Sequence, residues 1–142
     1  MLVKTLLSEK SGPIVCIPAE ATISEAAALL VARRIGALLV MGDDGALAGM
    51  ISERDLVRGM AEAGKCVLDK PVAALMTERV LCVSPDDTID SLMATMTEKR
   101  IRHFPVTDKG KLVGIVSIGD VVKHKIAEAE GEAEALRAYI IG

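Results

Sequence analysis

The chain has 142 residues, 51% of them hydrophobic, and a formal net charge of −3. A core is within reach, but with no Trp, one Tyr and one Phe it must be filled by aliphatic side chains and Met. The mild acidity argues against a nucleic acid as partner, and no segment approaches the roughly 18 apolar residues of a membrane span.

Met1 to Lys10 is expected as a lead-in helix that covers the core or a partner subunit, and it carries no signal-peptide core. Pro13 to Ile17 reads as a short extended segment ended by Pro18. Thr22 caps a helix from Ile23 to Arg34, with Glu25 completing a capping box. Its apolar face is Ile23, Ala26, Ala27, Leu30 and Val31, and Gly36 stops it. Ala37 to Met41 and Leu47 to Ile51 form a hairpin about the turn Gly42 to Gly45. A helix then starts after Ser52, runs to about Ala63 and closes at Gly64.

Residues 65–71 read as a linker, followed by one helical turn from Val72 to Met76. The series then recurs, with Leu81 to Val83 extended and Pro85 and Asp86 turning the chain. Asp87 or Thr88 caps a helix from Ile89 to Arg100, whose inner face is Ile89, Leu92, Met93 and Met96. His103 to Thr107 and Leu112 to Val116 make the second hairpin. The last helix starts after Ser117 and runs toward Tyr139, with a break expected at Gly131. Glu128, Glu130, Glu132 and Glu134 read as a solvated face, whereas Leu136, Tyr139, Ile140 and Ile141 are apolar enough to require a docking surface.

The chain therefore says one thing twice. Leu47 to Arg58 (LAGMISERDLVR) and Leu112 to Lys123 (LVGIVSIGDVVK) share Leu-x-Gly, an apolar run, and Ser three residues before Asp. Upstream, Val15-Cys16-Ile17 matches Leu81-Cys82-Val83, and Ala21-Thr22-Ile23 matches Asp87-Thr88-Ile89. Such a period is too long for a solenoid and marks a duplicated small domain. Each copy, on the order of 55 residues, has a marginal core alone. The expectation is an α/β fold of two strand-helix-strand-strand-helix repeats packed as a pseudo-twofold module. The divisions fall at 1–64 for the lead-in and first repeat, 65–71 for the linker and 72–142 for the second repeat. Cys16, Cys66 and Cys82 have no metal-like spacing and cannot all pair. Cys16 and Cys82 read as small buried hydrophobes in a reducing compartment, which places the protein in the cytoplasm.

Catalytic patterns are not visible. The two histidines, His103 and His124, join no nucleophile motif, and there is no glycine-rich phosphate loop. His124, between Lys123 and Lys125, reads as solvated. What recurs is Ser52-x-x-Asp55 and Ser117-x-x-Asp120. One reading is structural, since Ser with a carboxylate three residues on is close to a capping box worth about 1 kcal/mol. The other is chemical. A helix N-terminus with a hydroxyl suits a phosphate, an ionised Asp accepts from the two hydroxyls of a ribose, and apolar strand residues flank a flat base. Together these describe a nucleotide.

The repeated pieces Gly49-x-x-Ser52-x-x-Asp55 and Gly114-x-x-Ser117-x-x-Asp120 resemble a tandem pair of cystathionine-β-synthase (CBS) domains, a Bateman module. Arg34-Ile35-Gly36-Ala37, Arg100-Ile101-Arg102-His103-Phe104-Pro105-Val106 and Met76-Thr77 fit the same family, and the likeness covers roughly Ser11 to Ala127. SERDLVR and RIRHFPV are similar to small stand-alone CBS-pair proteins. The resemblance implies a non-catalytic regulatory or sensory module with no obligatory cofactor. It implies an adenine nucleotide (AMP, ADP, ATP, NAD or S-adenosylmethionine) held in the cleft between the repeats. It makes Asp55 and Asp120 the ribose holders, Ser52 and Ser117 phosphate helpers, and Cys16-Ile17 and Cys82-Val83 the surroundings of adenine. Arg102 and His103 become candidate phosphate contacts of the second repeat. The first repeat has Gly36 and Ala37 there, and its Arg54 faces Gly119. The second site is therefore expected to be the tighter one for phosphorylated ligands. A homodimer and an unidentified regulated protein are the expected partners. The alternatives are a structural dimerisation module without ligand and a metabolic enzyme or its regulatory subunit.

Overall fold

The computed structural model describes residues 1–10 and 13–141. They form two compact units, one from Pro13 to Leu81 and one combining the N-terminal ten residues with the chain from Cys82 onward. We call these the early and the late unit.

In the early unit, β1 (Cys16–Pro18), α2 (Ile23–Arg33), β2 (Ala37–Met41), β3 (Leu47–Ser52) and α3 (Glu53–Ala63) follow in order. β2 is central, parallel to β1 through Ile17↔Val40 and antiparallel to β3 through Leu38↔Ile51. Its run Ala37-Leu38-Leu39-Val40 is buried throughout, as a strand covered on both faces requires. Thr22 caps α2, its Oγ1 accepting from the Glu25 N–H at 3.1 Å. The stop lies earlier than the expected Gly36. Arg34 takes a left-handed conformation (φ 54°), and its N–H reaches back to the Leu30 and Val31 carbonyls. The core gathers Ile23, Leu30, Leu38, Val40, Ile51 and Val72. Val31 does not join it and is 79% exposed. The expected linker is ordered, a 3-10 turn over Gly64–Asp69 that buries Val67.

The late unit holds α1 (Val3–Glu9), α4 (Ile89–Lys99), β4 (His103–Asp108), β5 (Lys111–Ser117) and α5 (Ile118–Ile141). Thr88, not Asp87, caps α4, and Arg100 ends it in the left-handed region (φ 56°) as Arg34 does in α2. Met93 is on the outer side of α4 rather than its inner face. The expected strand at Leu81 to Val83 shrinks to one parallel bridge, Val83↔Val106. The reason is covalent. In the early unit the Ala19 N–H continues the ladder to the Met41 carbonyl at 3.3 Å. The corresponding late residues are Pro85, and Pro105 in place of Leu39, and neither has an N–H to give. α5 runs unbroken through Gly131.

The lead-in segments pack across the order of the chain. In the late unit Ile89 N–H donates to the Met1 carbonyl and Val3 N–H to the Asp87 carbonyl. In the early unit Ile23 N–H donates to the Lys70 carbonyl and Val72 N–H to the Ala21 carbonyl. Val3 therefore stands where Val72 stands, both fully buried. MLVKTLLSEK and KPVAALMTER are a further repeated pair. Each precedes one repeat along the chain and completes the core of the other.

Candidate functional site

Both Ser-x-x-Asp motifs sit where a hairpin strand hands over to a helix. In the early unit the Ser52 N–H and Oγ both donate to Asp55 Oδ2, at 2.8 and 3.1 Å, and the Asp55 N–H donates to Ser52 Oγ at 3.4 Å. In the late unit Ser117 and Asp120 repeat this at 2.8, 3.0 and 3.2 Å. The capping box thus forms twice, and it consumes donors that a phosphate would need. The Ile118 N–H donates to the Arg102 carbonyl at 2.8 Å and the Glu53 N–H to the Gly36 carbonyl at 3.0 Å. These bonds leave only the second helical N–H, of Gly119 or of Arg54, unengaged in each first turn. One N–H per helix is left for a phosphate.

The two carboxylates differ in their second partner. Asp55 Oδ1 lies 3.6 Å from Arg58, one turn along its own helix. Asp120 Oδ2 accepts a third bond, from Lys10 Nζ at 2.9 Å, and the same ammonium donates to the Ile115 carbonyl at 2.8 Å. Partial burial would raise the Asp120 carboxyl. The Lys10 ammonium and the Ser117 N–H and hydroxyl outweigh that and hold it below the usual carboxylate range. It stays ionised at neutral pH, able to accept and not to donate. Asp120 borders a depression of about 610 Å³ shared with Glu9, Lys10, Lys123, His124 and Glu128. That volume lies within the range of small-molecule sites.

Arg102 does not share this depression. Its side chain lines a separate one with Ile118, Gly119 and Lys123. His103 stands directly opposite Ser117 in the β4–β5 register. Cys16 and Cys82 are exposed, contrary to the expected burial, and neither is disulfide-bonded. Partial desolvation still pushes both thiols up, so they remain protonated near neutrality. Alternation along β1 turns Cys16 outward and buries Ile17 in the core, so Ile17 offers little side-chain surface to a base. Val83 is half-buried against the late core. His124, expected as solvated, is half-buried, its Nε2 shielded from solvent and 3.3 Å from Glu128 Oε2. The depression beside β1 carries Glu20 and Glu25 and no cation, which disfavours phosphate there. Among the described residues no cluster of His, Cys, Asp or Glu could hold a metal ion, and no helix is long and apolar enough to cross a membrane.

Sequence reasoning missed Lys10. Its signal was the second repeat of lead-in residues, in which Lys10 aligns with Arg79 and Glu9 with Glu78.

Residues 3–62 and 72–127 each match the CBS domain family. A mitochondrial CBS domain-containing protein of Arabidopsis thaliana is 38% identical over 125 residues, covering 85% of this chain and 61% of that protein. The chain spans 20% of a meiotically up-regulated protein of Schizosaccharomyces pombe, at 25% identity. Hypoxic response protein 1 of Mycobacterium tuberculosis is 32% identical, with 78% of each chain covered. Among solved structures, a CBS-domain containing protein of Agrobacterium tumefaciens superposes with a TM-score of 0.85 at 43% identity, over 87% of this chain and 92% of that one. A CBS domain pair in complex with 5′-methylthioadenosine and S-adenosyl-L-methionine superposes with a TM-score of 0.79 at 27% identity, over 90% of this chain and 98% of that one. The protein described here belongs to the CBS-domain family and carries two CBS repeats.

Proposed function

We propose that the protein is a non-catalytic regulatory module of the cytoplasm that binds an adenosyl ligand at Asp120 and acts, as a homodimer, on a partner protein. The carrying observation is the Asp120 carboxylate at the start of α5. It is ionised, anchored by Ser117, neutralised by Lys10 and open to a depression of nucleotide size. A ribose diol would donate to this carboxylate, while Lys10 and Lys123 would face its 5′ substituent. A structural neighbour with bound 5′-methylthioadenosine and S-adenosyl-L-methionine supports the adenosyl class. The choice among AMP, ATP, NAD and a neutral adenosyl compound rests on how Lys10 and Lys123 balance Glu9 and Glu128. Three carboxylates face these two lysines and Lys10 is already paired with Asp120, so a phosphorylated ligand would depend on Lys123.

A second reading has its own observation. The boxes at Ser52 and Ser117 are complete without any ligand, as two helix caps would be. Thermal shift with AMP, ATP, NAD, S-adenosylmethionine and 5′-methylthioadenosine separates the two, because a ligand of the folded state raises Tm with its concentration. A rise that Asp120→Asn removes supports the adenosyl site. No rise with any of the five, together with a lower Tm for Asp120→Asn, leaves the caps alone.

A further inference from the structure

α5 continues past Ala127, where the CBS match ends, to Ile141, and a 24-residue helix is about 36 Å long. Every residue from Ile126 to Ile141 is exposed. A helical segment of this length with Gly131 in its middle is marginal without a packing partner. Apart from Tyr139 and Ile141, its large apolar residues fall on one stripe. Val122, Ile126, Ala129, Ala133, Leu136 and Ile140 follow at spacings of four and three, the a/d seam of a coiled coil over three heptads. The a positions are Ile126, Ala133 and Ile140, and the d positions are Val122, Ala129 and Leu136. Ile126 and Ile140 at a with Leu136 at d follow the pattern that favours two strands, and the remaining positions are Val122 and two alanines. Leu136 is 60% and Ile140 73% exposed, and the seam begins in the open apolar groove of Ile118, Val122 and Ile126. The late core lies on another side of the helix, where Val121 is buried and His124 half-buried.

We propose that this seam is covered by the α5 helix of a second copy, in parallel and in register. The flanking charges choose both the occupant and the direction. In a parallel pair each g position meets the e position five residues on in the partner. Here Lys125 would meet Glu130, and Glu132 would meet Arg137, opposite signs in both cases and doubled by symmetry. Antiparallel pairing would set Glu130 against Glu130 and Glu132 against Glu132, like charges at its centre. Lys125 already holds Asp90 at 2.8 Å, so Glu132 with Arg137 is the stronger selector.

This rests on the homodimer stated above and not on the ligand. The test uses full-length Ala133→Cys, with Ala135→Cys on the flank as control, under mild oxidation, and mass spectrometry of the linked peptides. Residue 133 should link to its own copy at least tenfold faster than residue 135. Glu132→Arg and Arg137→Glu in that background should each slow the link, and the two together should restore it. Equal rates at 133 and 135, or faster linking of Ala129→Cys chains to Ala133→Cys chains than of Ala133→Cys to itself, would overturn the parallel pairing. Light scattering sorts the two failures. A monomer at tens of micromolar removes the homodimer as well, whereas a dimer without the 133 link removes only this seam.

Discussion

The two helix entries are near copies in their first turn and differ in what reaches them from outside. At α3 the carboxylate of Asp55 is served by Ser52 and, one turn on, by Arg58 of the same helix. At α5 the carboxylate of Asp120 is served by Ser117 and by Lys10, which is distant in sequence. The first arrangement is a helix end completing itself. The second gathers a carboxylate, an ammonium and a depression from separate parts of the chain, the set of groups that the proposed adenosyl site would use. A capping box therefore does not decide between structure and function; the groups beyond it do.

The largest expected effect separates the two carboxylates. Asp120→Ala should weaken adenosyl-ligand binding by on the order of 1.5–3 kcal/mol, the worth of a charge-assisted bond, or roughly 10- to 150-fold in Kd. Asp55→Ala should change the same event little. Calorimetry on both variants checks this. If Asp55→Ala removes the tighter event and Asp120→Ala spares it, the ranking is reversed and Arg54 becomes the anchor.

The glycines that precede the two motifs sharpen the contrast in stability. A Cβ on Gly49 would come within 2.5 Å of the Thr77 carbonyl oxygen, which is paired to β3 through Met50. A Cβ on Gly114 would instead meet the Leu7 side chain at 2.7 Å. Backbone has nowhere to go, whereas a leucine can change rotamer. Gly49→Ala should cost about 1–3 kcal/mol and Gly114→Ala clearly less, read as Tm or as denaturant midpoint at constant slope. Equal losses would mean that the α1 contact is as unyielding as the Thr77 one.

Much of this was legible in the sequence, and the failures have physical causes. Ser52, Asp55, Ser117 and Asp120 stand at helix starts because an apolar strand run ends there and a capping pair follows. The shrunken second strand was written in Pro85 and Pro105, whose missing donors cancel two rungs. Cys16 was misjudged because a strand has two faces, and its neighbour Ile17 took the inner one. Lys10 was harder to see because the lead-in segments repeat at a different spacing from the rest and pack in exchanged order. No periodicity within one repeat links Lys10 to Asp120.

A smaller effect tests the electrostatics of the late site. If Lys10 and Lys123 face a phosphate, ATP affinity should fall when salt rises from about 20 to about 200 mM, over which the Debye length shrinks from about 20 to about 7 Å. Affinity for 5′-methylthioadenosine, which has no phosphate, should hold nearly constant. Parallel slopes for the two ligands would remove phosphate contacts from the proposal and leave the ribose and base.

The smallest effect concerns the Lys10–Asp120 pair itself, through pH. Both side chains are partly exposed, so the pair contributes at most about 1 kcal/mol. The Asp120 carboxyl is held below its usual range in the folded protein, with Lys10 the largest of the causes that lower it. A carboxyl depressed by folding adds stability that is complete above its unfolded pKa, near 3.9, and is lost as pH falls through the folded value. Lys10→Met should therefore lower stability at pH 7, and the gap to wild type should narrow as pH drops below about 4. Arg58→Met breaks only a pair one turn apart at 3.6 Å whose Arg58 end is exposed, worth a few tenths of a kcal/mol. Urea midpoints of both variants and the wild type, taken at neutral pH and again at acid pH, give the comparison. A Lys10→Met deficit that stays constant into acid would show that Lys10 acts through the Ile115 carbonyl, to which it donates at 2.8 Å, rather than through the Asp120 carboxylate.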